Sequence, residues 1–282
     1  MSSGALVQPE SEFRQPRASL AQRLEAAHEW CILQYAQSLA RIRPPLNAAW
    51  LAIAGGHALY TGPSPFTFAI GIAMHQAITP AELDEIEEFF HSRKFSSVVE
   101  VCPYSHPSLM QLLRVRGYRP GEVTTVLFRS LRHGPALAGP PGEIQVRLAD
   151  AHEAGLWVET MAQNFFVGDP GPEARANIAA LFAVPGSLNT LAFIDGELAG
   201  VAGGMLRGGD EVVPFFGSCT LPKFRRRGVH GALLNFRLRQ VRDCGGDLVV
   251  MTAIPGSDSE RNAQRYGFTV VYEKQAWVKA PE

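Results

Sequence analysis

Two stretches of this chain repeat one order of elements, and this repeat limits the folds that the chain can adopt. They cover residues 98–118 and, with a one-residue shift, residues 248–268. Each reads as a buried strand, a turn that contains serine, a short helix, and a glycine followed by an aromatic residue that begins another strand. Such a repeat predicts two copies of one α+β unit. The length of 282 residues also favours two domains.

The hydrophobic pattern supplies the remaining elements of both units. From Ser19 to Ile42 apolar residues recur every three or four positions, which predicts a helix that ends before Pro44. The first half continues with predicted strands at 50–54, 57–60, 66–74, 97–102 and 123–129, and helices at 80–93 and 107–115. The second half has predicted strands at 144–148, 188–194, 198–206, 212–220, 247–253 and 268–278, and helices at 150–165, 172–182, 228–244 and 258–266. We expect a three-layer αβα fold of the α+β class, in which helices flank a mixed, mostly antiparallel sheet in each unit.

The predicted domain boundaries follow from composition. Residues 1–18 lack a periodic apolar pattern and read as a disordered tail. Residues 131–143 are rich in proline and glycine, which is typical of a linker between domains. We therefore expect a first domain at residues 19–130 and a second at residues 144–282.

Charge and composition argue against several classes of function. The net charge is −1 and neither half has a strong excess of one sign, so neither nucleic acid nor a membrane surface is an expected partner. The longest apolar run, residues 66–74, is too short to span a bilayer, and the N-terminus lacks the apolar core of a secretory signal. The four cysteines are too scattered for a zinc site or a disulfide framework. We expect a cytoplasmic protein without a metal, as a monomer or homodimer.

The most informative stretch is residues 212–234, where a strand, a basic loop and a helix that opens at Gly228 follow one another. The amides of a first helical turn have no intrahelical partner, and the helix dipole adds positive potential there. Gly228 and Gly231 allow a ligand to approach the backbone, and no acidic residue occurs on the helix before Asp243. This pattern predicts a site for a diphosphate. The basic residues around the opening are Lys223, Arg225, Arg226 and Arg227.

The corresponding helix of the first half has the opposite character. It opens at Pro80, and Glu82, Asp84 and Glu85 occupy the end where a diphosphate would bind. Acids suit a helix N-terminus but repel phosphate. We therefore expect the first half to keep the fold without a cofactor site. Neither a P-loop nor a dinucleotide-binding fingerprint fits the second half, because Gly-Lys-Ser/Thr and the glycine triplet are both missing.

At this loop the sequence resembles the GNAT superfamily of acetyltransferases, whose pattern is Arg/Gln-x-x-Gly-x-Gly/Ala. Residues 225–230 match this pattern except that His230 replaces the small sixth residue, and Gly231 follows directly. The resemblance covers residues 144–279 and, more faintly, the first half, as in tandem proteins with one degenerate copy. It implies transfer of an acetyl group from acetyl-CoA to a primary amine by direct attack, without an acyl-enzyme.

The resemblance also implies the contacts of the cosubstrate. The loop would hold the diphosphate of coenzyme A, and the end of the preceding strand would pair its backbone with the pantetheine arm. A backbone N–H near Cys219 or Thr220 would stabilise the developing oxyanion. The implied cofactor-binding residues are Ser218, Cys219, Thr220, Arg225, Arg226, Arg227, Gly228, Val229, His230, Gly231, Ser259 and Asn262.

The catalytic residues are less clearly marked, and we select Thr220, Tyr266 and Glu211. Ala263 stands where the family places its general-acid tyrosine. Tyr266 or Tyr272 could donate the proton instead, although ordinary packing at a helix end also explains Tyr266. Glu211 could accept a proton from the amine, or it could be a solvated acid in its turn. Cys219 is interpreted as a small strand residue, since no histidine partner is evident.

Two hypotheses about function follow. The first is an active N-acetyltransferase that acts on a small-molecule amine or a protein amino group; the intact loop favours it. The second is a regulatory or scaffold module that binds coenzyme A and has lost its chemistry; the missing tyrosine favours it. Four aromatic residues could line an apolar acceptor pocket or belong to the core: Phe165, Phe166, Phe215 and Phe216.

Overall fold

The computed structural model describes residues 17–132, 142–166, 168–206 and 212–281. Within these ranges the strands are β1 (Ala49–Ile53), β2 (Gly56–Tyr60), β3 (Phe68–Ile70), β4 (Ser97–Val101), β5 (Arg119–Ser130), β6 (Ile144–Leu148), β7 (Thr190–Ile194), β8 (Glu197–Gly204), β9 (Val212–Thr220), β10 (Leu248–Ala253) and β11 (Thr269–Lys279). The helices are α1 (Arg17–Ile42), α2 (Pro80–His91), α3 (Pro107–Val115), α4 (Ala154–Phe165), α5 (Gly171–Phe182), α6 (Val229–Asp243) and α7 (Asp258–Arg265).

All of these strands form one sheet, in the order β1-β2-β3-β4-β11-β5-β10-β9-β8-β7-β6. The pairs β3–β4 and β9–β10 are parallel, and the other neighbours are antiparallel. Helices cover both faces of the sheet. Val126 of β5 packs on the side of α1, whereas the next residue, Leu127, packs against α6 and α7. This α+β arrangement in three layers confirms the predicted fold class.

The last strand of each half lies beside strands of the other half. β11 inserts next to β4, with Trp277 opposite Val99, and β5 pairs with β10, with Phe128 opposite Val250. β5 and β11 also pair with each other along most of their length. The sheet is therefore continuous across the predicted linker. Most of that linker lies outside the described residues, and the division into two domains stays a prediction.

Helix α1 belongs to the first half in sequence but packs on the second half as well. The hydroxyl of Ser38 donates to the carbonyl of Ala180 over 2.7 Å, and Arg43, which directly follows α1, donates to the side chain of Asn177 over 2.6 Å. Both acceptors lie on α5, so α1 connects the two halves on one face of the sheet.

The differences from the predicted elements have local causes. Helix α1 begins at Arg17, so residues 17 and 18 are helical, while the rest of the predicted tail lies outside the described residues. β5 begins at Arg119 instead of residue 123, because pairing with β11 extends over residues 119–123. Most of these residues are solvent-exposed, so the sequence carries no alternation that would reveal the strand.

Candidate functional site

β9 and β10 diverge at their carboxyl ends. The parallel pairing runs from Val212 opposite Leu248 to Phe215 opposite Met251 and then stops, although β9 continues to Thr220. The other edge of β9 stays paired with β8 as far as Thr220. One backbone edge of residues 216–220 therefore faces a gap in the sheet, where an extended ligand could pair with it.

A β-bulge lies in this part of β9. Between the pairs Val201–Cys219 and Gly203–Phe216, two residues of β9 (217 and 218) oppose one residue of β8 (202). Gly217 in the bulge has a positive φ of 57°, and an added Cβ would lie 2.2 Å from the methyl carbon of Met161. Its conformation therefore favours glycine at this position, and any larger residue would also displace the end of the Met161 side chain.

Arg237 of α6 holds the bulge from the opposite side and was missed by the sequence analysis. Its side chain is fully buried and donates to the carbonyls of Gly203 and Phe216 and, over 2.7 Å, to the hydroxyl of Ser218. Burial lowers the pKa of the guanidinium to about 9. The signal in the sequence was its position four residues after Leu233, on the apolar face of the predicted helix.

Thr220 has two features of a ligand-binding residue. The next amide, that of Leu221, donates to Ala199 of β8. Since amides alternate in direction along a strand, the N–H of Thr220 faces the gap. The hydroxyl oxygen of Thr220 is buried and has no hydrogen-bond partner among the described residues. A bound polar group would satisfy both atoms.

The basic loop is built as the sequence predicts. After β9 a short 3-10 turn covers Pro222–Phe224, and α6 begins after Gly228, whose φ of 85° favours glycine. Lys223 pairs with Glu197 at 2.6 Å, and Arg227 lies 3.6 Å from a carboxylate oxygen of Glu143. The other two basic residues of the loop are solvent-exposed and have no ion-pair partner among the described residues: Arg225 and Arg226.

His230 lies in the first turn of α6 and is largely buried. Its Nδ1 has no partner among the described residues. Burial and, to a smaller extent, the nearby charge of Arg237 lower its pKa from 6.5 to about 4. The imidazole is therefore neutral at pH 7, with one ring nitrogen as a donor and the other as an acceptor. Such a group suits a polar ligand at the helix N-terminus.

Gly231 and Tyr266 contact each other closely. A Cβ at residue 231 would lie 1.7 Å from the phenolic oxygen of Tyr266. The absence of a side chain at residue 231 thus makes room for the tyrosine ring, which provides a structural reason for this glycine. Tyr266 lies against the first turns of α6 and is not among the residues that line the cavity described below.

The remaining predicted residues have different surroundings. Burial raises the pKa of the Cys219 thiol to about 11, so the thiol stays protonated near pH 7. This agrees with the interpretation of Cys219 as a small strand residue. Ser259 is exposed on α7, and the amide oxygen of Asn262 accepts from Arg265 over 3.0 Å. Tyr272 donates to Glu25 over 2.7 Å. Val229 is buried, and Glu211 lies outside the described residues.

A cavity of about 540 Å³ adjoins the point where the strands diverge. Its lining includes residues 214–217 of β9 and 250–252 of β10, residues of α4 and α5, and residues of α1 and the loop 63–66 from the first half. The four phenylalanines that sequence analysis singled out are all on its wall: Phe165, Phe166, Phe215 and Phe216.

These residues fit coenzyme A, the cosubstrate that the resemblance in sequence implies. Two buried polar atoms, Thr220 Oγ1 and His230 Nδ1, have no partner in the part of the chain that the structure describes, and both belong to the segment that would bind it. Arg225 and Arg226 offer unpaired positive charge next to a helix N-terminus that carries no acid in its first turn.

Comparison with solved structures shows which fold this is. A GCN5-related N-acetyltransferase from Kribbella flavida is 16% identical, with a TM-score of 0.66 over 93% of this chain and 96% of that chain. A tandem GNAT protein from the clavulanic acid biosynthesis pathway is also 16% identical, with a TM-score of 0.62 over 93% of both chains. A putative GNAT-family acetyltransferase from Novosphingobium aromaticivorans is 18% identical, with a TM-score of 0.53 over 89% of this chain and 95% of that chain. No family model and no curated protein matches the sequence.

The chain therefore has the fold of the GNAT acetyltransferases, as the resemblance in sequence implied. The similarity extends over both halves, and one of the matching structures is itself a tandem GNAT protein. No helix in the described part of the chain is both long and apolar enough to cross a membrane.

Proposed function

We propose that this protein is an acetyl-CoA-dependent N-acetyltransferase that acts on a primary amine. The observation that carries the proposal is the gap between β9 and β10 beside the basic start of α6. Along this path lie a backbone edge, two buried polar atoms and two arginines that have no partner among the described residues. Together they match what a long ligand with a diphosphate at one end requires.

Each part of the path has a separate role in the proposal. Arg225, Arg226 and the amides of the first turn of α6 bind the diphosphate. The edge of β9 that faces the gap binds the pantetheine arm, and the N–H of Thr220 donates to the thioester oxygen. When bound, acetyl-CoA would supply the acetyl group in activated form. The Arg237 side chain fixes the bulge and so positions this edge.

The proposed reaction needs no general acid among the described residues. A thiol has a pKa near 8.5, so thiolate is a tolerable leaving group at neutral pH without the tyrosine that Ala263 replaces. The amine must lose its proton before it attacks, and Glu211 is the proposed acceptor. Since direct attack uses no enzyme nucleophile, the protonated thiol of Cys219 is consistent with the proposal.

A module that binds coenzyme A without turnover is the second candidate, and Ala263 is the observation that favours it. The two candidates share a binding site and differ in thiol release. An assay of free thiol with acetyl-CoA and a panel of amines distinguishes them. Tight binding without thiol release for any amine would support the second candidate.

Binding is tested by calorimetric titration of acetyl-CoA into the wild type and two glycine variants. Gly228→Asp puts a negative charge at the diphosphate position, so we expect affinity to fall by at least about tenfold. Gly245→Asp is the matched control, because Gly245 has a φ of 86° at the other end of α6 and open space around it. Equal loss in both variants, or no binding to the wild type, would contradict the proposed site.

A further inference from the structure

The cavity of about 540 Å³ is lined by residues 214–217 of β9, and the proposed function places the reacting thioester three residues further along this strand, at Thr220. Helices α4 and α5 of the second half line it, and α1 and residues 63–66 of the first half line it too. The first half, which lacks a basic helix start of its own, thus contributes to a cavity on the strand that carries the proposed reaction centre. Residues of the first half therefore help to determine which amines the cavity can bind.

The lining is mainly apolar and aromatic. Phe66 of the first half and Met161, Phe165 and Phe166 of the second half all contribute to it. Phe165 and Phe166 are 58% and 45% exposed, so part of this apolar surface is in contact with solvent. The volume is in the range of pockets that enclose whole small molecules. A compact, strongly hydrated amine would leave most of this surface without a partner.

The charged groups of the lining are few. Among the described residues on the wall, the only carboxylate is that of Glu173. Arg43 is also on the wall but already donates to Asn177 and to the backbone carbonyl of Glu173. One carboxylate can pair with one ammonium group. Polyamines and aminoglycosides carry several ammonium groups, so most of these would lack a partner on the wall.

His28 of α1 supplies a directed hydrogen-bond donor. Lys274, fixed between carboxylates of Glu100 at 2.6 Å and Glu25 at 3.5 Å, lies 2.9 Å from Nδ1 of His28. An ammonium can only donate, so Nδ1 accepts and the proton of the neutral ring is on Nε2. Burial, and then the charge of Lys274, hold the pKa of His28 well below its usual value, so the ring stays neutral. Nε2 has no partner among the described residues, and His28 lines the cavity.

We infer that the cavity between the halves takes a primary monoamine with an aromatic or branched apolar body, and that the Nε2–H of His28 binds an oxygen atom on that body. This inference rests on the proposed acyl transfer and adds the class of its acceptor. His28 acts as a residue that determines specificity, and Lys274 orients it.

A long acyl chain on the donor is the other apolar group that could fill such a space. The polar groups that line the cavity argue against a long acyl chain. A hydrocarbon chain would leave the Nε2–H of His28 without an acceptor while removing water from it, which is unfavourable. An amine with an oxygen atom on its body supplies that acceptor.

The first test measures binding of phenylalanine methyl ester to protein saturated with coenzyme A, by calorimetry. Ala174 lines the cavity, so Ala174→Phe should fill it and lower the affinity at least about tenfold while coenzyme A binding is unchanged. Ala176→Phe is the matched control, because Ala176 lies on the same helix and does not line the cavity. Equal affinity of both variants for the ester would overturn the inference.

The second test compares KM values for phenylalanine methyl ester and 2-phenylethylamine, which lacks the ester oxygens. His28→Leu should raise KM for the ester about tenfold but leave that for 2-phenylethylamine nearly unchanged, and His28→Gln should restore part of the difference. The inference fails if spermidine is turned over as well as the ester. It also fails if Ala174→Phe slows only transfer from long-chain acyl-CoA. If the wild type does not bind coenzyme A, the proposed function itself is refuted.

Discussion

At the scale of single residues, the end of β9 and the start of α6 are unusual because they bury polar atoms that have no partner among the described residues. Thr220 Oγ1 and His230 Nδ1 are both in this state, and the guanidinium of Arg237 is buried nearby without a carboxylate among the described residues. Leaving such atoms unpaired costs stability. A ligand that supplies the missing partners gains this free energy on binding, so the cost is consistent with a binding site.

The low pKa of His230 predicts how stability depends on pH. In the unfolded chain the imidazole titrates near 6.5 and in the folded chain near 4, so between these values the unfolded state binds more protons. The contribution is fully present above pH 6.5 and is lost as the pH falls through 4, and it amounts to at most about 3 kcal/mol. Urea unfolding from pH 7 to 4 should show a smaller decrease in His230→Gln than in the wild type. His152→Gln, which changes an exposed histidine, should behave as the wild type does.

The contact between Gly231 and Tyr266 gives a second prediction. Gly231→Ala would force the tyrosine ring away from α6, and we expect the free energy of unfolding to fall by about 1–3 kcal/mol. The double variant Gly231→Ala with Tyr266→Ala should lose less than the sum of the two single changes, because the clash is gone. Additive losses in urea unfolding would show that the two positions do not interact.

Tyr266→Phe separates packing from catalysis. A general acid contributes about 10²–10⁴-fold to the rate. The hydroxyl lies against the backbone of Gly231 and away from the cavity lining, so we expect thiol release to change by less than about threefold. A loss of a hundredfold in kcat, with unchanged thermal stability, would instead identify Tyr266 as the acid.

At the scale of elements, the sequence predicted what local patterns determine. The bounds of β6, β9 and α3 agree with the structure, and the basic loop before α6 has the expected glycine N-cap. The sequence could not reveal the bulge at Gly217, because its register depends on packing of Met161 and Arg237 from two different helices. The catalytic assignments remain predictions for the same reason: they depend on distances between distant segments.

The connection between α6 and the bulge can be tested through Arg237. Arg237→Lys keeps the positive charge, but a compact ammonium cannot reach the two carbonyls and the hydroxyl of Ser218 together. Orphaned buried acceptors cost about 1–3 kcal/mol each, so the free energy of unfolding should fall by at least about 1 kcal/mol. We expect acetyl-CoA affinity to fall as well, since the edge of β9 is no longer fixed. Unchanged urea midpoint and affinity would contradict this role.

At the scale of the whole molecule, the exchange of final strands makes the two halves dependent on each other. The repeat in the sequence correctly predicted similar elements, but it could not predict that β5 and β11 lie in the middle of one sheet, because pairing partners are non-local. β5 of the first half pairs with one edge of β10, and β11 of the second half lies between β4 and β5. The helix α1 and the shared cavity add to this dependence.

Separate expression of the halves tests this arrangement. In residues 142–282 alone, β10 would have an open edge in place of β5, and β11 would lose both neighbours. Exposed edges of this kind promote aggregation, so we expect this fragment to lack a cooperative thermal transition and to elute as aggregate. Co-expression with residues 1–141 should restore a soluble complex that unfolds in one transition, because the break lies between β5 and β6 and interrupts neither strand. If the fragment 142–282 unfolds cooperatively as a monomer, the second half folds without strands from the first, and the exchange is not needed for its stability.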